Sequence, residues 1–114
     1  MFQTKEQIIQ YFKSGIKKPE DFRIGIEHEK FLFNKVNNKR VNYTEIKKMF
    51  SSLMEFGWKP IFEKKNIIAL SKDGKNITLE PGNQIELSGD KLNHMHEACA
   101  ESQDYLFELK QVTK

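Results

Sequence analysis

The chain has 114 residues, enough for one domain with a modest core, with 38% hydrophobic and 31% charged residues and a formal net charge of +3. No apolar run approaches the length of about 18 residues that a membrane span needs, and no basic leader precedes an apolar stretch, so neither a span nor a secretory signal is expected and a cytoplasmic location follows by default. The charge does not indicate a nucleic-acid partner: only Arg23 and Arg40 among the 19 basic residues are arginines, and the lysines are scattered from Lys5 to Lys114 between acidic residues.

Thr4 opens a T-x-x-Q capping pattern with Gln7. Ile8, Ile9 and Phe12 follow at helical spacing up to Gly15, so a first short helix is predicted. The stretch RIGIEHEKFLF, residues 23 to 33, then reads as a strand. One parity carries Gly25, Glu27, Glu29, Phe31 and Phe33, and the other Ile24, Ile26, His28, Lys30 and Leu32. A solvated face would account for Glu27 and Glu29 on spacing alone. Against it, Phe31 and Phe33 continue the same face, and glutamate is a poor strand former that needs a reason to recur.

Asn37-Asn38-Lys39 reads as a turn, and Thr44 as the cap of a second helix with the stripe Ile46, Met49, Phe50, Leu53 and Met54, ended by Gly57. Trp58 to Phe62 and Ile67 to Leu70 read as strands, Asp73-Gly74 as a hairpin turn, and Ile77 as the start of the return strand. In ITLEPGNQIELSG, residues 77 to 89, Pro81 cannot donate to a ladder and Gly82 frees the backbone, which predicts a bulge or sharp bend between two short strands. If the phase survives the break, Glu80 and Glu86 point to one side and Gln84 lies beside them. After Gly89 the stripe Leu92, Met95, Cys99, Leu106 and Leu109 predicts a long third helix with Cys99 in its core face. The lone cysteine cannot form an internal disulfide.

These elements predict an α+β unit: a mainly antiparallel sheet with helices packed on one face and the glutamates on the other. Residues 1 to 114 read as one continuous unit, part of a larger domain. Two unit charges about 4 Å apart repel by roughly 4 kcal/mol at an effective dielectric near 20, so converging Glu27, Glu29, Glu80 and Glu86 would call for cations or protonation. A set of oxygen ligands favours Mg²⁺ or Mn²⁺ over zinc, and Mg²⁺ commonly arrives with phosphate. The competing metal candidates, His94, His96 and Cys99, are poorly disposed. On a helix only His96 and Cys99 could share a face.

GIEHEKF at 25 to 31, ITLEPGNQIELSG at 77 to 89 and LNHMHEACAE at 92 to 101 together resemble the plant-type and proteobacterial glutamate–cysteine ligases, with W-K-P at 58 to 60 and I-I-A-L at 67 to 70 also fitting. The resemblance implies a glutamine synthetase-like catalytic fold and ATP-dependent joining of the glutamate γ-carboxylate to the amine of cysteine through a γ-glutamyl phosphate, the first step of glutathione biosynthesis. It places Glu27, Glu29, Glu80 and Glu86 at the carboxylates that hold magnesium, with Glu29 and Glu86 as catalytic positions and Gln84 orienting a substrate or ligand. Asn83 departs from the usual second glycine, Leu32 from a small residue, and Asp90-Lys91 from Ala-Pro; none removes a carboxylate. The family pattern continues beyond this length, so the chain reads as an amino-terminal part of the ligase domain, with a second polypeptide as a possible completing partner. The alternative is a non-catalytic remnant, or a module that binds metal or nucleotide without turnover.

Overall fold

Residues 4–114 are described by a computed structural model. Period-two alternation builds five strands: β1 (Glu27–Phe31), β2 (Lys59–Glu63), β3 (Asn66–Lys72), β4 (Lys75–Glu80) and β5 (Gln84–Ser88). They form one sheet in the order β1-β5-β4-β3-β2, with every neighbouring pair antiparallel. Asp73 and Gly74 both take positive φ, 47° and 81°, the backbone that joins twisted antiparallel strands in a tight hairpin.

The Pro81-Gly82 break is more than the expected bend. Gly82 and Asn83 both take positive φ, 73° and 57°, and reverse the chain. Pro81, Gly82 and Asn83 are therefore the loop of a hairpin in which Glu80 faces Gln84, Thr78 faces Glu86 and Asn76 faces Ser88. Asparagine tolerates the left-handed region better than most residues, which explains how Asn83 can stand where glycine would be easier.

A register shift in the β2–β3 pair sets Ile61 against Ala69 and Phe62 against Ile67, leaving Ile68 as the extra residue of a bulge. The bulge breaks the alternation, so Ile67 joins Leu70 in the core while Ile68 is exposed.

Three helices flank the strands: α1 (Lys5–Ser14), α2 (Tyr43–Leu53) and α3 (Met95–Val112). The Thr4–Gln7 capping box forms as expected, yet α1 buries none of its residues. For α2 the cap is Asn42 rather than Thr44: the Asn42 side chain accepts from Glu45 N (3.1 Å) and Glu45 Oε2 accepts from Asn42 N (2.8 Å). Only a residue three positions ahead of a glutamate can make that reciprocal pair, and Thr44 has Lys47 there. A short 3-10 turn, Met54–Phe56, follows and ends at Gly57 with φ 88°.

Ile46, Phe50 and Leu53 of α2 pack with Leu70, Ile77, Ile85 and Leu87 of the sheet in a core where all seven are fully buried. Burying a large apolar side chain contributes about 1.5–3 kcal/mol, so the α2–sheet contact is a major source of the fold's stability. On α3 the inward face differs from the expected stripe. It carries Ala98, Glu101, Tyr105, Glu108 and Leu109, while Cys99 is exposed. The reason is chemical, because Glu101 and Glu108 have polar partners on the sheet side of the helix and Cys99 has none.

Candidate functional site

The sheet face away from α2 and α3 is a grid fixed by strand register. Along β1 it shows Glu27, Glu29 and Phe31; opposite them on β5 stand Ser88, Glu86 and Gln84; opposite those on β4 stand Asn76, Thr78 and Glu80. All four glutamates singled out by sequence therefore lie on one face, and the parity argument carries through the turn. Glu86 occupies the middle of the grid, directly across from Glu29. Directly paired residues in antiparallel strands hold their Cβ atoms about 4.5–5.5 Å apart, so this pair is the closest approach the sheet allows between two strands.

The other two glutamates stand at the margins. Glu27 is in the row of Ser88 and Glu80 in the row of Gln84, four residues apart along β5. At about 3.3 Å per residue that is roughly 13 Å, too far for one ion to bridge. Among the described residues no three of His, Cys, Asp or Glu gather closely enough to hold a metal ion. The donor chemistry suits a hard cation, but these residues offer a facing carboxylate pair with two outliers rather than a closed coordination shell.

Neighbouring hydroxyls orient two of the carboxylates. Thr78 Oγ1 donates to Glu80 Oε1 at 2.7 Å and Ser88 Oγ donates to Glu86 Oε1 at 3.0 Å. Each bond fixes one oxygen and leaves the other for a ligand. Glu27 and Glu29 are exposed, and neither forms an ion pair among the described residues. Like charges set directly opposite across a strand pair are destabilising, so the Glu29–Glu86 pair is an electrostatic liability without a counter-charge.

Arg40 escaped sequence reasoning. Its guanidinium lies 4.4 Å from the centroid of the Phe31 ring, and Nη2 donates to the carbonyl of Gly82 at the tip of the β4–β5 hairpin. Asn83 Nδ2 donates to Val41 O at 3.3 Å beside it. Residues 40 and 41 thus strap the hairpin tip, and Arg40 brings a cation to the margin of an acidic face. The available signal was the rarity of arginine in this chain.

The buried glutamates of α3 were missed as well. Glu108 Oε2 accepts from Trp58 Nε1 at 2.6 Å, and its Oε1 accepts from Lys72 Nζ at 2.7 Å. Glu101 Oε2 accepts from the backbone N–H of Asp90 at 3.1 Å. Gly89 makes that approach possible, since a Cβ there would collide with Glu101 Oε1. His28, on the helix side of β1, meets Ser102 Oγ at 3.0 Å. Both His94 and His96 are exposed at the start of α3.

Residues 23–114 match the family described as glutamate-cysteine ligase family 2. The chain is 42% identical over 110 residues to the chloroplastic glutamate–cysteine ligase A of Oryza sativa subsp. japonica, covering 96% of this chain and 22% of that protein. It is 40% identical over 112 residues to the chloroplastic enzyme of Nicotiana tabacum and 38% identical to that of Arabidopsis thaliana, covering 97% of this chain and 22% of each. The chain thus spans about a fifth of the length of the curated relatives it matches. Their names overturn the expected cytoplasmic location, because these relatives are chloroplastic. The expectation rested on a default, and a single cysteine with no apolar span suits a plastid equally well.

Proposed function

Because the chain belongs to glutamate-cysteine ligase family 2, we propose that its glutamate grid is part of a site that joins the γ-carboxylate of glutamate to the amine of cysteine at the expense of ATP. The carrying observation is that Glu29 faces Glu86 in the middle of a polar grid on the side of the sheet that α2 and α3 leave open. In this reading the γ-carboxylate takes the terminal phosphoryl group of ATP, releasing ADP, and the cysteine amine then displaces phosphate from the γ-glutamyl phosphate, losing a proton. A magnesium or manganese ion would supply charge neutralisation at the nucleotide phosphates. Glu29 and Glu86 would hold it as a facing pair, while Glu27 and Glu80, too far apart to share one ion, would each serve a further ion at its own end of the grid. Thr78 and Ser88 keep one oxygen of Glu80 and of Glu86 turned to the grid. Gln84, between Phe31 and Glu80, would orient a substrate carboxylate or ligand. Arg40 stands at the margin where a phosphate would need a cation. The chloroplastic names of the relatives favour a plastid as the place of work.

The test is titration of the 114-residue chain with Mn²⁺, read as paramagnetic broadening of backbone resonances, with and without ATP. Broadening centred on residues 27–29, 80 and 84–86, strengthened by ATP and abolished by Glu29→Gln with Glu86→Gln, is expected. Broadening centred on His94 and His96 instead would refute the assignment. Since these residues do not close a coordination shell, no phosphate release dependent on both amino acids is expected from the 114 residues alone.

A further inference from the structure

β1 carries Glu27 and Glu29, yet it contributes no fully buried residue to the core. The inner strands differ, for Leu70, Ile77, Ile85 and Leu87 pack with α2 and have no exposed surface. β1 is an outer strand with a single ladder, to β5. Its helix-side residues are His28 and Lys30, set opposite the aliphatic Leu87 and Ile85. Apolar packing is therefore not what keeps Glu29 across from Glu86.

Two polar contacts join that side of β1 to α3. His28 Nε2 lies 3.0 Å from Ser102 Oγ, and Lys30 Nζ lies 5.7 Å from the centroid of the Tyr105 ring. The first contact fixes its own direction. Ser102 Oγ has one proton and donates it to Ala98 O at 2.9 Å, one turn back along α3. Oγ is left to accept, so His28 Nε2 carries the hydrogen and donates. His28 stands between Glu27 and Glu29 on the other face of the same strand, and the backbone there cannot shift without moving both carboxylates.

We propose that His28 is a positioning residue of the glutamate grid: its Nε2–H bond to Ser102 pins β1 to α3 and holds the Glu29 carboxylate at the spacing from Glu86 that a divalent cation requires. This role rests on the reading of the grid as a metal site and adds to it the contact that sets its geometry. His28 touches neither metal nor substrate and acts through the strand.

The experiment compares Mn²⁺ affinity of the whole chain, from paramagnetic broadening, with that of His28→Leu, His28→Gln, Ser102→Ala and the His28→Leu, Ser102→Ala double variant. Amide exchange and the long-range ¹⁵N spectrum of His28 are recorded on the metal-free chain. Hydrogen on Nε2 is expected. His28→Leu and Ser102→Ala should each weaken Mn²⁺ by about tenfold, the lower end for residues that orient a metal ligand, and speed exchange in β1 but not in α2. The double variant should fall no further than the weaker single one, because both remove the same bond. His28→Gln, whose amide N–H can reach the same oxygen, should restore most of the affinity. Nε2 without hydrogen, losses that add in the double variant, or unchanged affinity and β1 exchange in both single variants would overturn the proposal. Absence of Mn²⁺ binding by the unsubstituted chain would sink the ligase reading instead. The pin is then judged by β1 exchange, faster in both single variants if it exists and unchanged if it does not.

Discussion

On the helix side of the sheet Glu108 is 9% exposed and gives both carboxylate oxygens to Trp58 and Lys72, whereas on the other side exposed Glu29 faces Glu86, a group of the same charge. The same residue type is thus used in two ways. In the enclosed Glu108 both carboxylate oxygens are matched by partners distant in sequence, and removing the carboxylate leaves those partners stranded. Where it lies open, water carries the solvation and the fold gains nothing from the charge.

The largest expected effect comes from the enclosed side. Glu108→Ala should destabilise the chain by about 3 kcal/mol, because it strands both the Lys72 ammonium and the Trp58 indole N–H. Denaturant unfolding would measure it, and a loss below about 1 kcal/mol would break the contrast by placing Glu108 among surface ion pairs. On the open side, Glu29→Gln combined with Glu86→Gln should leave stability unchanged or raise it, by at most about 1 kcal/mol, as cross-strand repulsion disappears. A marked loss in the same unfolding experiment would show that the fold does use those charges.

The smallest effect concerns a fourth glutamate, on neither face. Glu97 is held below its ordinary value of 4.5 chiefly by the backbone N–H of Asn93, with His94 N–H and the His94 charge adding to it. A carboxylate whose folded value is depressed contributes stability above the unfolded value and loses it as pH falls through the lowered one. Amide protection in the first turn of α3 should therefore drop as the solution is acidified below about pH 4.5, and Glu97→Gln should flatten that dependence.

Much of the acidic face was legible because strand parity is a local property. Glu27, Glu29, Glu80 and Glu86 could be assigned to one side by counting, and the only uncertainty was the phase across Pro81-Gly82. A hairpin keeps that phase when directly opposed residues share a face, as Glu80 and Gln84 do. What the sequence did not disclose was the wrong-looking face of α3. Leu92, Met95, Cys99 and Leu106 form a regular apolar stripe, yet Met95, Cys99 and Leu106 are exposed and the helix turns Glu101 and Glu108 inward. The partners that decide this, Asp90 N–H, Trp58 and Lys72, lie 11, 50 and 36 residues away. Hydrophobic periodicity weighs each residue by its own solubility and carries no information about who will meet it.

The strand order leaves β1 and β2 as the two margins of the sheet, and they are not equivalent. β2 is blunted by Pro60, which has no N–H to give, and by the register shift at Ile61/Phe62. β1 has neither defence, and Arg40 and Val41, which pair with Phe33 and Leu32, continue the line of β5 rather than covering its free side. The sheet therefore has a direction of growth. A strand added along Glu27–Phe31 would move the Glu27–Glu29 row from the rim of the platform to its interior.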